Sequence, residues 1–85
     1  MTANLELFST SQCPKCEKLK KYLKSIGVEY VPRVIDEDPE AETDALMHNI
    51  FAAPALKKGD VILRVNKLFP DGNLNEEIIS EFLEK

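Results

Sequence analysis

The chain has 85 residues, 44% of them hydrophobic and 31% charged, with a net charge of −4. One domain, residues 1–85, is expected, and a chain this short buries only about 60–65% of its unfolded surface. The acidic balance argues against nucleic acid as a partner, and no run approaches the ~18 apolar residues of a membrane span. Residues 1–4 carry neither a basic stretch nor a long apolar one, so no secretory leader is expected and the cytoplasm is the default compartment.

Taken in order, residues 5–9 are short, mostly apolar and bounded by Thr10 and Ser11, which predicts a central strand. A polar loop leads into Cys13-Pro14-Lys15-Cys16, which holds the only two cysteines of the chain. Pro14 falls at a first helical position, where a missing N–H costs nothing. Cys16, Leu19, Leu23 and Ile26 then recur at helical spacing, bordered by Tyr22, while Lys15, Lys18, Lys20, Lys21 and Lys24 cover the rest of the helix surface. Gly27 reads as the left-handed residue that ends it.

Residues 28–35 are rich in β-branched and aromatic types and predict a second strand, which Pro32 confines to a sheet edge or a bulge. Asp38 before Pro39 starts a second helix over residues 40–48, with a thin apolar face of Ala41, Ala45 and Leu46 and Asn49 as its stop. Residues 53–56 lead into a third strand, Lys57-Lys58-Gly59-Asp60 signals a hairpin, and residues 61–65 give a fourth strand. A loop with Pro70, Asp71 and Gly72 precedes a last helix over about residues 75–84, capped by Asn73 or Asn75, with Ile78, Ile79, Phe82 and Leu83 inward. The order β-α-β-α-β-β-α predicts a parallel pair with a right-handed crossover, then a hairpin and a closing helix. That is a four-stranded mixed sheet with three helices on its two faces, an α/β three-layer sandwich.

In a non-secreted chain, two thiols two residues apart at a strand–helix junction read as a redox pair. Cys13 stands at the helix start, where unsatisfied N–H groups and the dipole favour a thiolate, and Lys15 and Lys18 add positive charge. Cys16 lies one turn on, along the apolar stripe. Cys13 is therefore the expected nucleophile and Cys16 the resolving thiol. The alternative is a metal-handling Cys-x-x-Cys module. A tetrahedral zinc site wants four ligands, and this chain offers one cysteine pair and the single His48. His48 is given no role beyond suiting a helix end. Tyr22 and Phe51 read as packing residues, Phe51 being also placed to flank a substrate groove. The acids between Asp36 and Asp44 read as a solvated face.

With this element order and these motifs, the chain resembles the glutaredoxin and thioredoxin-like small oxidoreductases. Three features carry the likeness: the cysteine pair between first strand and first helix, Ala53-Pro54 before the third strand where the family has a Thr-Val-Pro motif with a cis proline, and Gly72 where many members have a Gly-Gly pair. The resemblance implies a thioredoxin-like fold and a dithiol oxidoreductase that reduces protein disulfides, with no cofactor. It implies that Pro14, Lys15, Ala53, Pro54 and Gly72 contact substrate, with the Ala53 backbone offered to an extended segment. The family's upstream cation is replaced by Thr10-Ser11-Gln12, its Thr-Val by Ala52-Ala53 and its Gly-Gly by Asp71-Gly72. Each of these family positions helps to hold glutathione, so the departures imply a protein thiol reductase rather than glutathione as the electron source, with glutathione the alternative because Lys15 is placed to reach its glycyl carboxylate; a monomer is expected.

Overall fold

In the computed structural model, which describes residues 5–84, the sheet grows from β1 (Leu5–Ser9). Residues 1–4, read above for a leader, and Lys85 lie outside the described residues. β1 alternates cleanly: Leu5 and Leu7 turn to one face and Phe8 to the other, all of them buried. It pairs in parallel with β2 (Val31–Val34) and antiparallel with β3 (Ala55–Lys58), which pairs antiparallel with β4 (Val61–Leu63). The sheet order is β2-β1-β3-β4. Pro32 accordingly sits on an edge strand, where its missing N–H breaks no ladder. A two-residue loop joins β3 to β4, and its first residue, Gly59, has φ +61°, as a type II′ hairpin requires.

The helices α1 (Pro14–Ser25) and α2 (Pro39–Met47) begin alike, each with proline in the first turn and a side chain capping it. Asp38 Oδ1 accepts the Glu40 amide at 3.0 Å, the bond a helix-start aspartate makes. They also end alike. Val28 N–H donates to the Leu23 carbonyl and Gly27 N–H to that of Lys24; Ile50 and Asn49 repeat the pattern on Ala45 and Leu46. Gly27 and Asn49 take the left-handed conformation this Schellman motif needs, at φ +73° and +58°.

Two apolar layers fill the faces of the sheet. Leu19 and Leu23 of α1, with Ile79 and Phe82 of the last helix, pack on Leu5, Leu7, Leu56 and Leu63. Ala45 of α2 and Ile50 pack on Phe8 and Ala55 on the opposite face. This is the three-layer sandwich the pattern predicts.

Four details differ from the sequence reading. The fourth strand stops at Leu63 rather than residue 65: in its register Val65 would face Pro54, which lies outside β3 and has no N–H to pair. The chain turns instead at Arg64 into a one-turn helix, α3 (Val65–Leu68), making four helices among the described residues rather than three. Leu68 and Phe69 become buried through that turn, and Phe69 N–H donates to the Val65 carbonyl at 2.8 Å. β2 is shorter than residues 28–35, since Val28 is used in the cap of α1. Finally, Ile26 and Leu46 are exposed although they fall on apolar stripes. The last helix, α4 (Glu76–Glu84), is capped by Asn75, whose Oδ1 accepts Ile78 N–H at 3.2 Å.

Candidate functional site

The register places the candidate residues at one end of the sheet. Cys13 follows the carboxyl end of β1. Phe8 pairs with Ala55, so Pro54 lies at that same end, and so does Arg64 at the end of the antiparallel β4. Parallel β2 also ends there, with Ser9 opposite Val34.

Cys13 is the N-cap of α1, with extended backbone (φ −147°, ψ 95°), and is half-buried. Cys16 is fully buried on the inward stripe of the helix. Their sulfurs form a disulfide at 2.14 Å across a Cα–Cα distance of 5.1 Å. The Cys16 amide donates to Cys13 Sγ at 3.1 Å. A capping sulfur that accepts a helix-start N–H is the local arrangement in which a thiolate is favoured once the bridge is reduced. Pro14 and Lys15 are exposed between the two.

Lys15 places its ammonium 5.7 Å from the centroid of the Phe69 ring, within cation–π range. Phe69 itself is buried, held there by the turn of α3. The Ala53–Pro54 peptide is cis, as expected from its position, with Pro54 buried and Ala53 half-buried. Gly72, at φ +89°, is tied to Phe69, whose carbonyl accepts its N–H at 3.4 Å. Its link to the cysteine loop therefore runs through Phe69 and Lys15. Phe51 does not pack inward as the sequence suggested: it is 78% exposed. It borders a cleft of about 260 Å³ with Ile50, Ala52, Ala55 and Arg64. A larger depression, about 730 Å³, lies between β2 and α2 and is lined by none of the candidate residues. Among the described residues no group of three or more His, Cys, Asp or Glu is placed to hold a metal, and no helix is long and apolar enough to cross a membrane.

Three contacts escape sequence reading. Phe69 is the platform for Lys15. Arg64 donates to the carbonyls of Asn49 and His48, at 2.5 and 3.1 Å, and so holds the end of α2. Asp36, read as one acid in a solvated run, instead grips the loop before Cys13. Its carboxylate accepts Ser11 N–H at 3.0 and 3.2 Å and the Ser11 hydroxyl at 2.5 Å. Chiefly through that hydroxyl bond, its carboxyl titrates below the ordinary range. One signal was available: parallel strands ending side by side bring together the residues two beyond each end.

Comparison with known proteins agrees with this geometry. The glutaredoxin family model matches residues 5–56. The chain belongs to the glutaredoxin family. An uncharacterised glutaredoxin-like 8.6 kDa protein of the rubredoxin operon of Clostridium pasteurianum is 32% identical over 65 residues, covering 74% of this chain and 87% of that protein. Among solved structures, the glutaredoxin of Archaeoglobus fulgidus superposes with a TM-score of 0.68 at 27% identity, over 99% of this chain and 88% of that one. A point mutant of the thioredoxin-like protein BC3987 superposes with a TM-score of 0.78 at 18% identity, over 98% and 97%, which speaks for the fold alone. The chain is thus a thioredoxin-fold, glutaredoxin-like domain with its cysteine pair at disulfide distance, the arrangement of a thiol–disulfide oxidoreductase.

Proposed function

We propose that this glutaredoxin-family chain is a dithiol oxidoreductase that reduces protein disulfides through Cys13 and Cys16, drawing its electrons from a protein thiol reductase rather than from glutathione. The observation that carries the reading is the asymmetry of the pair: a half-buried sulfur at the start of α1 and a fully buried one a turn later. In the reduced chain, the Cys13 thiolate attacks a disulfide sulfur of the target. A Cys13–target bond forms and one target thiolate leaves. Cys16, deprotonated, then attacks the Cys13 sulfur and expels the second target thiolate. Two electrons pass to the target and the chain is left with the bridge seen in the structure. The reductase reverses the exchange. Pro14, Lys15, Ala53, Pro54 and Gly72 are assigned to the contact surface, with Ala53 presenting backbone groups to an extended target segment.

The absence of a cation from Thr10-Ser11-Gln12 supports a protein reductase, because a charge-assisted hydrogen bond to a glutathione carboxylate is worth about 1.5–3 kcal/mol. The reading places a monomer in the cytoplasm, acting without a cofactor. Insulin reduction with three electron sources tests it: glutathione with its reductase, a thioredoxin reductase, and a ferredoxin- or flavin-linked reductase. A protein reductase should support turnover that Cys13→Ser abolishes, while Cys16→Ser accumulates mixed disulfides. Alkylation near neutral pH should modify Cys13 much faster than Cys16. Faster modification of Cys16 would reverse the assignment, and glutathione turnover at the level of an ordinary dithiol glutaredoxin would remove the protein-reductase part.

A further inference from the structure

Asp36 stands two residues beyond the end of β2, and Ser11 two residues beyond the end of β1. Both are exposed. The amide and the hydroxyl of Ser11 are both directed onto the Asp36 carboxylate. These are donors that a negatively charged group approaching the cysteine pair from this side would otherwise meet. An internal carboxylate has taken them and left its own charge in their place.

That charge is close enough to act. Consecutive Cα atoms are 3.8 Å apart, so Ser11 Cα lies within about 7–8 Å of Cys13 Cα, and the carboxylate, 3.0 Å from the Ser11 amide, lies within about 12 Å of it, comparable with the ~10 Å over which exposed charges interact at ordinary salt. Asp36, an exposed carboxyl that the Ser11 bonds hold below the usual range, is ionised at neutral pH. Glu37 and Asp38 follow it in the same turn with the same sign. The cations at this end of the sheet are Lys15, placed over Phe69, Lys18 on the outer surface of α1, and Arg64 after β4, whose guanidinium is held by the carbonyls of His48 and Asn49. Cations and acids therefore border the dithiol on different sides: lysines along α1, carboxylates beyond the end of β2.

We propose that Asp36 is a specificity determinant of the Cys13 thiol: by occupying the Ser11 donors and holding a negative charge beside the loop, it selects against disulfides that carry anionic groups near the scissile bond. The proposal rests on the redox reading above and adds a substrate class, neutral or cationic disulfides over anionic ones.

Single-turnover reduction of two aromatic disulfides by the pre-reduced full chain tests it. One is the dianion 5,5′-dithiobis(2-nitrobenzoate); the other is neutral 4,4′-dithiodipyridine. In each, the Cys13–Cys16 dithiol becomes a disulfide and two aromatic thiols are released, so no further reductant is needed. Asp36→Asn keeps an acceptor for Ser11 and removes the charge. Its rate with the dianion, relative to its rate with the neutral reagent, should exceed the parent's ratio by about two- to tenfold at low ionic strength. The gain should shrink as salt is added. Ser11→Ala, which keeps the charge, should leave the ratio near the parent's. Asp36→Ala should match Asp36→Asn in the ratio even if the loop loosens and both absolute rates fall.

An equal change in both rates for Asp36→Asn would mean that Asp36 acts only on the Cys13 thiolate, and would overturn the proposal. So would an unchanged ratio, or a gain that salt does not diminish. Failure of the parent to reduce even the neutral reagent would instead remove the redox reading, and the proposal with it.

Discussion

One serine links the loop before Cys13 to the turn after β2, and the link has a pH signature. The carboxyl of Asp36 titrates below its ordinary 3.8, chiefly because it accepts the Ser11 hydroxyl. A group whose pKa is lowered by folding contributes its stability above the unfolded value and loses it as pH falls through the folded one. The Asp36–Ser11 bond should therefore be complete at neutral pH and open only in acid. Followed by NMR, the Ser11 amide shift should move with a midpoint below 3.8, and Ser11→Ala should raise the Asp36 midpoint toward the ordinary value. A midpoint at or above the ordinary value in the parent would mean that the bond does not persist in solution. Residues such as Cys13, Cys16 and Pro54 were legible because covalent chemistry or a restricted backbone marks them in the sequence itself. Asp36 was not, since it is one of six acids between residues 36 and 44, and only the parallel pairing of β1 with β2 tells it from the rest. Phe69 escaped for a similar reason: its ring meets Lys15 only because the chain turns at Arg64.

Helix α2 illustrates how an element with little apolar surface is kept in place. Only Ala41 and Ala45 are buried along it, while Leu46 and Met47 are 59% and 74% exposed. The sheet compensates with charge. Arg33 of β2 donates to Asp44 of α2 at 2.5 Å and to Glu6 of β1 at 2.9 Å, and its guanidinium lies 5.6 Å from the centroid of the Phe8 ring. The Asp44 bond, ahead of Glu6, raises the Arg33 pKa further, so the charge persists at every accessible pH. Arg33→Met should cost about 2–3 kcal/mol in urea unfolding, since it leaves Glu6 with only the weaker Lys57 pair and α2 without its ion pair to the sheet. Asp44→Ala should cost less, about 0.5–1 kcal/mol, because its side chain is 43% exposed. A larger loss for Asp44→Ala would show that the helix end, rather than the guanidinium, is the anchoring group. None of this was visible in the helix pattern, which shows only a thin apolar face. What was visible was what local chemistry decides: proline at both helix starts, Gly27 and Asn49 at the stops, Gly59 in the hairpin. Strand ends were legible least, because the end of β4 depends on where β3 begins.

Across the whole molecule, charge is divided by the sheet. α1 carries five lysines against one glutamate and packs on one face, while α2 and the turn before it are acidic and pack on the other. Such a dipole can orient a charged protein partner before contact. The same two-faced packing decides how the molecule tolerates its own chemistry. An oxidoreductase of this kind must keep its shape with the bridge closed and open. The principal apolar clusters are built from leucines, isoleucines, alanines and phenylalanines of β1, β3, β4 and the helices, and neither includes a cysteine. Chain-entropy arguments give a bridge that closes so short a ring no more than about 2 kcal/mol of stability. Urea unfolding with and without dithiothreitol should thus show one cooperative transition in both states, with similar denaturant dependence and the reduced form lower by about 2 kcal/mol or less. The Cys13→Ser/Cys16→Ser chain, which cannot form the bridge, should unfold near the reduced parent. If reductant instead abolished the transition, the bridge would be a structural staple, and a chain that unfolds whenever it is reduced could not cycle as a catalyst.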